Sequence, residues 1–403
     1  MYLQTTAEIR QGSIGRLMLL PLLALVLAAC ATTSVRSTEF VPAVQNMAPA
    51  DENQLLDIGV MVFDPGLDEI KEDELERTNF EIRRAESRFV PYQLAETLQG
   101  TGNWGVVRVM PNDITAFDIL LSGQILLSNG ESMILKVTAS DSTGRVWYEK
   151  EYEEKVSQFS YDLVQRQAND PFQAIYNTIA NDLLAWRNQN LDAASINNIR
   201  KVTELQFARS FAPDIFGQYL STNRQGITQV VRLPADNDPY MARMRDIRQR
   251  DNLFVDTVQD YYQTFAMQMR VPYDSWREQS YHETLALAEL ERSARRRFLT
   301  GAAAIVGGIA MATSNNSAAQ AGSLVGVGAG AYLVKSGFDR TAEAKIHIEA
   351  LRELGESLET EIAPKVIDLD DRTIMLNGTV EEQYQQWRDI LVQIYQTEIG
   401  EIQ

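Results

Sequence analysis

The chain has 403 residues, of which 45% are hydrophobic, and this is enough apolar material for two or three packed domains. Its formal net charge at pH 7 is −18, and an acidic chain of this kind repels nucleic acid and anionic surfaces. Nucleic acid is therefore excluded as a partner. Cys30 is the single cysteine, which also excludes an internal disulfide framework.

The first thirty residues have the pattern of an export signal. Arg10 and Arg16 supply a positive flank, and the apolar run that follows, residues 17–26, is shorter than the roughly 20 residues of a membrane-spanning helix. The run closes on the tetrapeptide Leu27, Ala28, Ala29 and Cys30. This tetrapeptide resembles the bacterial lipobox, which implies removal of a lipoprotein signal peptide, residues 1–29, and attachment of acyl chains such as palmitate to Cys30. The alternative is an ordinary signal peptide followed by an unrelated cysteine.

Acylation of Cys30 implies a membrane anchor, because each buried CH₂ group of an acyl chain contributes about 0.8 kcal/mol. Ala31 differs from the aspartate that retains enterobacterial lipoproteins at the inner membrane. The resemblance therefore predicts a protein anchored in the outer membrane and facing the periplasm. Residues 30–53 are rich in Ser, Thr, Ala and Pro, and we predict that they form a flexible tether.

Residues 54–190 are predicted to form an α+β domain, in which a mixed sheet carries helices on one face. The predicted order is β-α-β-β-β-β-α, with strands over residues 56–63, 104–110, 117–127, 133–139 and 145–153. A short helix is expected over residues 91–98, after an acidic insert at 67–88. The tight turns at 128–130 and 142–144 contain Gly or Asn, which tolerate a positive φ. A closing helix over 171–186 is expected to bury Ile175, Ile179, Leu183 and Leu184.

Four segments of this domain, "VFDPG", "GNWGVVRV", "DILLSGQI" and "DSTGRVW", carry a resemblance to known envelope proteins. In this order they resemble the amino-terminal domain of TolB, and they are similar to the periplasmic domain of the curli secretion-channel lipoproteins. These families use the domain for protein contacts in the envelope without catalysis. The resemblance therefore implies a protein-binding role for residues 54–190.

From about residue 191 to 297 the pattern becomes helical. One helix face is predicted to be core packing and carries Phe254, Val258, Tyr261, Phe265 and Met269, spaced by three or four. We expect Pro272 to end this helix and Asp274 or Ser275 to cap the next one.

Residues 298–336 are predicted to form a helical hairpin rich in Gly and Ala. Small residues recur four apart on each arm, at Ala304, Gly308, Gly322, Gly326 and Gly330. This pattern resembles glycine zippers, in which small side chains let helices approach closely in a membrane or an oligomer. The alternative is a hairpin packed inside a soluble bundle, or a loop.

The C-terminal part, residues 337–403, is predicted to contain helices and a small β-hairpin over 366–369 and 373–376. Thr379 and Glu382 have the spacing of a capping box. The helix that follows is expected to bury Tyr384, Trp387, Leu391 and Ile394.

The sequence contains no motif typical of a catalytic, metal or cofactor site. His282 and His347 are the only histidines, and each stands alone among charged residues. The acidic cluster at 68–74 lacks the calcium-loop pattern. The G-x-G-x-x-A match at 326–331 lacks the strand that precedes a dinucleotide fingerprint. We therefore predict a protein that is not an enzyme and has no cofactor or metal.

The anchor, the envelope-type domain and the glycine spacing together predict a lipid-anchored structural or assembly scaffold. Its expected partners are the membrane, further copies of itself in a homo-oligomer, and other envelope proteins. Two alternatives remain open at this point: a component of an outer-membrane export or transport pore, and a periplasmic hydrolase.

Overall fold

The computed structural model describes residues 33–37, 41–47, 54–68, 70, 78–111, 117–162, 169–311, 349–350, 352–353, 365–368 and 373–400. In these residues the chain has the predicted α+β fold, with a mixed sheet in the first half and a mostly helical second half.

Six strands form the sheet. They are β1 (Thr33–Ser37), β2 (Ile58–Met61), β3 (Val107–Met110), β4 (Ile119–Ser128), β5 (Ser132–Asp141) and β6 (Val146–Lys155). Their spatial order is β1-β6-β5-β4-β2-β3. Strands β4, β5 and β6 form an antiparallel meander, whereas β2 runs parallel to β3 and β4, and β1 runs parallel to β6.

Two helices, α1 (Phe80–Gly100) and α2 (Gln173–Asn190), pack on each other and on one face of this sheet. Strand β5 shows the cause, because its buried apolar side chains alternate with residues that remain partly exposed. The opposite face carries polar pairs such as Lys136 with Glu149, whose Nζ and Oε1 atoms are 3.0 Å apart. The predicted order β-α-β-β-β-β-α is confirmed, and so is the burial of Ile175, Ile179, Leu183 and Leu184.

The two predicted tight turns of the meander contain glycines in the left-handed region, with φ of 76° at Gly130 and 86° at Gly144. This confirms the prediction that these turns need residues without a steric penalty at positive φ.

Helix α1 is much longer than the predicted helix over residues 91–98, because it begins inside the segment assigned to the acidic insert. Asn79 caps it, and its Oδ1 accepts a hydrogen bond from the Ile82 N–H at 3.1 Å. Pro91 lies in its interior and leaves the Ser87 carbonyl without its helical donor. The Phe63 N–H donates to that carbonyl at 2.8 Å, so the helix continues through the proline.

The predicted flexible tether is wrong for residues 33–37 and 41–47. The former pair with β6 as an edge strand, and the latter lie against α1 and α2. Asn177 donates to the Val41 carbonyl at 2.8 Å, and Asn103 donates to the Val44 carbonyl at 2.7 Å. Side-chain amides outside the segment thus satisfy its backbone, which composition alone does not reveal.

The second half begins with helix α3 (Ala193–Phe211), the short helix α4 (Pro213–Phe216) and the hairpin β7 (Leu220–Thr222) with β8 (Thr228–Val230). The 73-residue helix α5 (Pro239–Met311) follows and crosses, without a break, the domain boundary predicted between residues 297 and 298.

The prediction that Pro272 ends a helix is wrong, and the capping role of Asp274 or Ser275 is wrong with it. Helix α5 continues through Pro272, since Met269 and Tyr273 on either side are fully buried and their packing offsets one lost backbone hydrogen bond. The predicted buried stripe is otherwise confirmed at Phe254, Val258, Phe265 and Met269. Tyr261 is only half-buried, and Tyr262 takes the buried position.

The chain ends in the antiparallel strands β9 (Lys365–Asp368) and β10 (Thr373–Leu376) and helix α6 (Val380–Gly400), which packs on α5. The capping box is confirmed: the Thr379 N–H donates to Glu382 Oε2 at 2.9 Å, and the Glu382 N–H donates to Thr379 Oγ1 at 3.2 Å. Tyr384, Trp387 and Leu391 are buried as predicted, whereas Ile394 is half-buried beside a buried Tyr395.

Candidate functional site: the joint between the sheet domain and the long helix

Most of the predicted site residues lie outside the described residues. This holds for the lipidation residue Cys30, for the lipobox residues Leu27, Ala28 and Ala29, and for Gly322, Gly326 and Gly330. Ala304 and Gly308 are described and lie on α5, four residues and therefore about one turn apart. The structure thus places one arm of the predicted zipper on the long helix.

The structure adds a site that the sequence did not predict, which we call the sheet joint. It is formed where α5 crosses α1 and the β4–β5 turn, and its central charged residues are Glu86 and Arg277, both fully buried. Burying a charge without a partner costs free energy, so each of these two side chains needs its own hydrogen-bond or ion-pair partners.

Arg277 lies on α5 and binds two carboxylates. Its Nη1 and Nη2 atoms donate to the two oxygens of Asp170 at 3.0 and 2.8 Å, and Nη2 also donates to Asp274 at 2.6 Å. The guanidinium stacks over the Tyr273 ring, 4.0 Å from its centroid. Burial alone lowers the pKa of Arg277, but Asp170, Tyr273 and Asp274 raise it well above its usual value. The side chain is therefore a permanent buried cation.

Glu86 lies on α1 and connects the sheet to α5. Its Oε1 accepts hydrogen bonds from Ser128 Oγ and Tyr273 Oη, both at 2.5 Å. Burial raises the pKa of Glu86, while the neighbouring Arg83 and both hydrogen bonds lower it. Glu86 thus joins the end of β4 to α5 through a single carboxyl group.

Arg83, one turn before Glu86, continues the network into the sheet. Its Nη1 donates to the Ile125 carbonyl at 2.6 Å, and its Nη2 donates to the Leu126 carbonyl at 3.1 Å. A β-bulge between Ile125 and Leu127 interrupts the strand pairing here. The guanidinium therefore satisfies carbonyl groups at the irregular point of β4.

The β4–β5 turn meets α5 directly. Ser280 Oγ and Thr284 Oγ1 both donate to the Asn129 carbonyl, at 2.8 and 3.2 Å. A Cβ atom at Gly130 would stand 2.2 Å from the Arg277 carbonyl oxygen. Glycine is therefore required at this turn both for its positive φ and for the close approach of the helix backbone.

Helix α5 also covers one edge of the sheet. The Val109 N–H of β3 donates to Gln259 Oε1 at 2.8 Å, and Gln259 Nε2 donates to the Val109 carbonyl at 3.0 Å. The side-chain amide thus makes the two hydrogen bonds that the backbone of a neighbouring strand would otherwise make. Beside it, Arg108 pairs with Asp256 at 2.6 Å. A strand edge that is covered in this way is closed to pairing with another chain.

These contacts are suited to holding elements together. Glu86 and Arg277 are sealed from solvent, so the network offers no opening to a substrate. Among the described residues, no three His, Cys, Asp or Glu side chains are grouped so that they could hold a metal ion. The chemical effect of the joint is to set the position of α5 along the domain, because each hydrogen bond has a defined partner.

One sequence signal could have indicated this joint. Buried residues recur every four positions along α5 at Phe265, Met269, Tyr273 and Tyr281, and Arg277 occupies the missing place in that series. A charged residue in register with an apolar stripe indicates a buried ion pair. The identity of its partner Asp170 has no such signal, since that residue comes from a distant part of the chain.

In the described part of the chain, no helix is both long enough and apolar enough to cross a membrane. Comparison with known proteins found no matching family model, no matching curated protein and no matching solved structure.

Proposed function

We propose that this chain is a lipid-anchored scaffold of the bacterial envelope, acylated on Cys30, which self-associates through its Gly- and Ala-rich segments. The observation that carries the proposal is the unbroken helix α5. It begins among the helices of the second half, crosses the sheet joint and continues to Met311. The uncharged segment that starts at Phe298 is therefore the end of a helix whose base is held by the folded domain.

The geometry suits a protein that presents a contact surface at a distance. Thr284 makes the most C-terminal of the described hydrogen bonds between α5 and the sheet domain. From residue 286 to Met311 the helix rises by about 40 Å, at 1.5 Å per residue. The buried Arg277 network holds α5 at one position on the domain, so the part of the helix that carries Ala304 and Gly308 would leave the domain at the same place in every copy.

The β-α-β-β-β-β-α domain supports the same proposal, because its resemblance to envelope protein-binding domains implies contacts with other proteins. The lipobox supports anchoring at the outer membrane, with the folded part in the periplasm. In this proposal the protein acts as a structural element and its partners are the membrane, its own copies and other envelope proteins.

The mass of native complexes extracted in mild detergent tests self-association. We expect wild type to form a uniform oligomer that collapses in Gly322→Leu/Gly326→Leu/Gly330→Leu, because three leucines prevent close approach of the helices. A control on the same predicted arm, Gly328→Leu, adds the same kind of bulk away from the repeating face and should keep the oligomer. A monomer in wild type at all concentrations would refute the scaffold.

Acylation is tested separately by the intact mass of the membrane-extracted protein. We expect the mass of acyl chains on residues 30–403, and their loss together with membrane association in Cys30→Ser. An unacylated chain that still begins at residue 1 would refute the anchor while leaving self-association to be judged on its own measurement.

A further inference from the structure

We propose that strand β1 holds one end of the sheet, formed by Arg145, Val146 and Trp186, against the lipid surface that carries the acyl anchor. We call these three residues the anchor-side patch. The proposal rests on acylation of Cys30, and it adds an orientation and a lipid-contacting surface to the scaffold.

The first argument is chain length. Strand β1 begins at Thr33, and three Cα–Cα steps separate that residue from Cys30, a distance of at most about 11 Å. Since β1 pairs with β6, this short connection starts from the sheet itself. A domain attached so closely to its acyl chains cannot stand far from the bilayer.

The second argument is direction. Strand β1 runs parallel to β6, with Thr33 opposite Lys150 and Ser37 opposite Glu154. The chain therefore arrives from the side of β6 where that strand begins, at Val146. Val146 and Lys150 are four residue steps apart along β6, which is about 13 Å. The start of β6 is thus the part of the sheet within reach of the anchor.

The third argument is the chemistry of this end. The partly exposed Trp186 stacks on the buried Trp147 with ring centroids 4.3 Å apart, and the guanidinium of Arg145 lies 4.9 Å from the Trp186 centroid. Beside them Val146 is 59% exposed. Tryptophan favours the boundary between lipid and water, and arginine binds phosphate, so this combination fits phospholipid headgroups. The exposed Arg145 places one cation at this end of a chain whose net charge is −18.

Segment 41–47 stabilises this arrangement from the other side. It continues from the β1 region across α2, where Asn181 accepts from the Val44 N–H at 2.8 Å and donates to the Pro42 carbonyl at 3.0 Å. Strand pairing attaches residues 33–37, and these amide contacts attach residues 41–47. The domain is therefore held by a short connection at one end, which leaves it little freedom to turn its opposite end toward the bilayer.

Fluorescence quenching by lipids with a nitroxide headgroup measures the orientation. Because acylation blocks the thiol of Cys30, the only native cysteine, an introduced cysteine receives the label alone. Val146→Cys places a label in the anchor-side patch. Phe159→Cys is the matched control, since it is 66% exposed and follows the far end of β6. Both full-length proteins are reconstituted into phospholipid vesicles after intact mass has verified acylation.

We expect quenching to be several-fold stronger at position 146 than at position 159. A 20-residue Gly/Ser insertion after Ala31 has an r.m.s. length of about 25 Å and should reduce quenching at 146 to the level of the control. Arg145→Glu should partly weaken the quenching at position 146, because the lipid phosphate then has no cation to bind at this end of the sheet.

Equal quenching at the two positions in acylated protein would overturn the orientation and leave the anchored scaffold intact. Quenching at 146 that persists with the long insertion would overturn the role of β1. A protein without acyl mass would overturn both this inference and the proposed anchor.

Discussion

Helix α5 is held at two places by different chemistry, and the contrast shows how a long helix is both bound and positioned. At the sheet joint, charged and polar side chains around Arg277 and Glu86 make directed hydrogen bonds. At its packing surface with α6, which we call the terminal-helix joint, aromatic rings dominate: Phe254 stacks on Trp387 at 5.4 Å and lies 6.0 Å from the Tyr384 ring.

The two joints differ in what they determine. Aromatic packing contributes large buried areas but tolerates small shifts along the helix axis. A buried ion pair adds little net stability compared with a pair of apolar side chains. Its hydrogen bonds are directional, however, so they form at only one position of the helix along its axis. We therefore expect the terminal-helix joint to contribute more of the free energy that holds α5 in the fold. We expect the sheet joint to fix the place at which α5 leaves the domain.

The largest effect is expected for Arg277→Ala at the sheet joint. Removing the guanidinium leaves the carboxylate of Asp170 buried without its partner, which costs about 3–5 kcal/mol of unfolding free energy. Urea unfolding at neutral pH measures the loss. Combining Arg277→Ala with Asp170→Ala should recover part of it, because the second substitution removes the uncompensated charge.

Arg250→Ala is the control on the same helix. Arg250 pairs with Glu398 at 3.1 Å with its side chain 37% exposed, so its removal should change stability by less than about 1 kcal/mol. Similar losses for the two arginines would contradict the distinction between a buried network and a surface pair.

A smaller effect is expected at the terminal-helix joint for Tyr384→Phe. The Tyr384 hydroxyl lies 3.3 Å from each carboxylate oxygen of the buried Asp251. Losing this donor should cost about 1–3 kcal/mol, since a buried acceptor loses a partner while the aromatic packing stays. Urea unfolding measures the cost. The loss of unfolding free energy caused by Tyr384→Phe should be smaller in a protein that also carries Asp251→Asn. An unchanged midpoint would show that the hydroxyl contributes nothing and that aromatic packing holds this joint.

A pH-dependent effect, absent at low pH, is expected beside the sheet joint. Glu154 accepts a hydrogen bond from the Ile175 N–H at 2.7 Å, and burial, with a further contribution from Asp170, raises the pKa of its carboxyl group to about 8. The folded state therefore binds this proton more tightly than the unfolded state, whose pKa is about 4.5. Stability due to Glu154 is present at low pH and is lost as the pH rises from about 4.5 to about 8.

Glu154→Gln replaces the titratable carboxyl group with a neutral amide, whose oxygen can still accept the hydrogen bond from the Ile175 N–H. Thermal unfolding of the two proteins should agree near pH 4.5, and the variant should become the more stable one by pH 8. A difference that grows in the opposite direction would show that the carboxylate is stabilised as an anion by the first turn of α2.

Much of the architecture was predictable because it depends on short-range patterns. Alternation predicted β4, β5 and β6, and the glycines at 130 and 144 marked their turns. The capping residues Thr379 and Glu382 located the start of α6. Proline was the misleading signal, since helices α1 and α5 both continue through one. In α1 the Phe63 N–H replaces the missing donor, and in α5 the buried Met269 and Tyr273 pack near Pro272.

The candidate site was predictable only in part. The four-residue series on α5 identifies Arg277 as a charged residue among buried ones. No local sequence pattern connects it with Asp170, which lies 107 positions earlier. The zipper residues Ala304 and Gly308 were found by spacing, and their partners remain a prediction.

By itself, the sequence determined the α+β class, the order of strands and helices, the buried faces of α2 and α6, and the tight turns. These follow from periodicity, capping and backbone sterics, which act over a few residues. Only the tertiary structure decided that residues 33–37 extend the sheet, that Gln259 closes its other edge, and that a buried charge network holds α5. Each of these depends on groups far apart in the chain, whose hydrogen bonds become favourable only after the fold has excluded water from them.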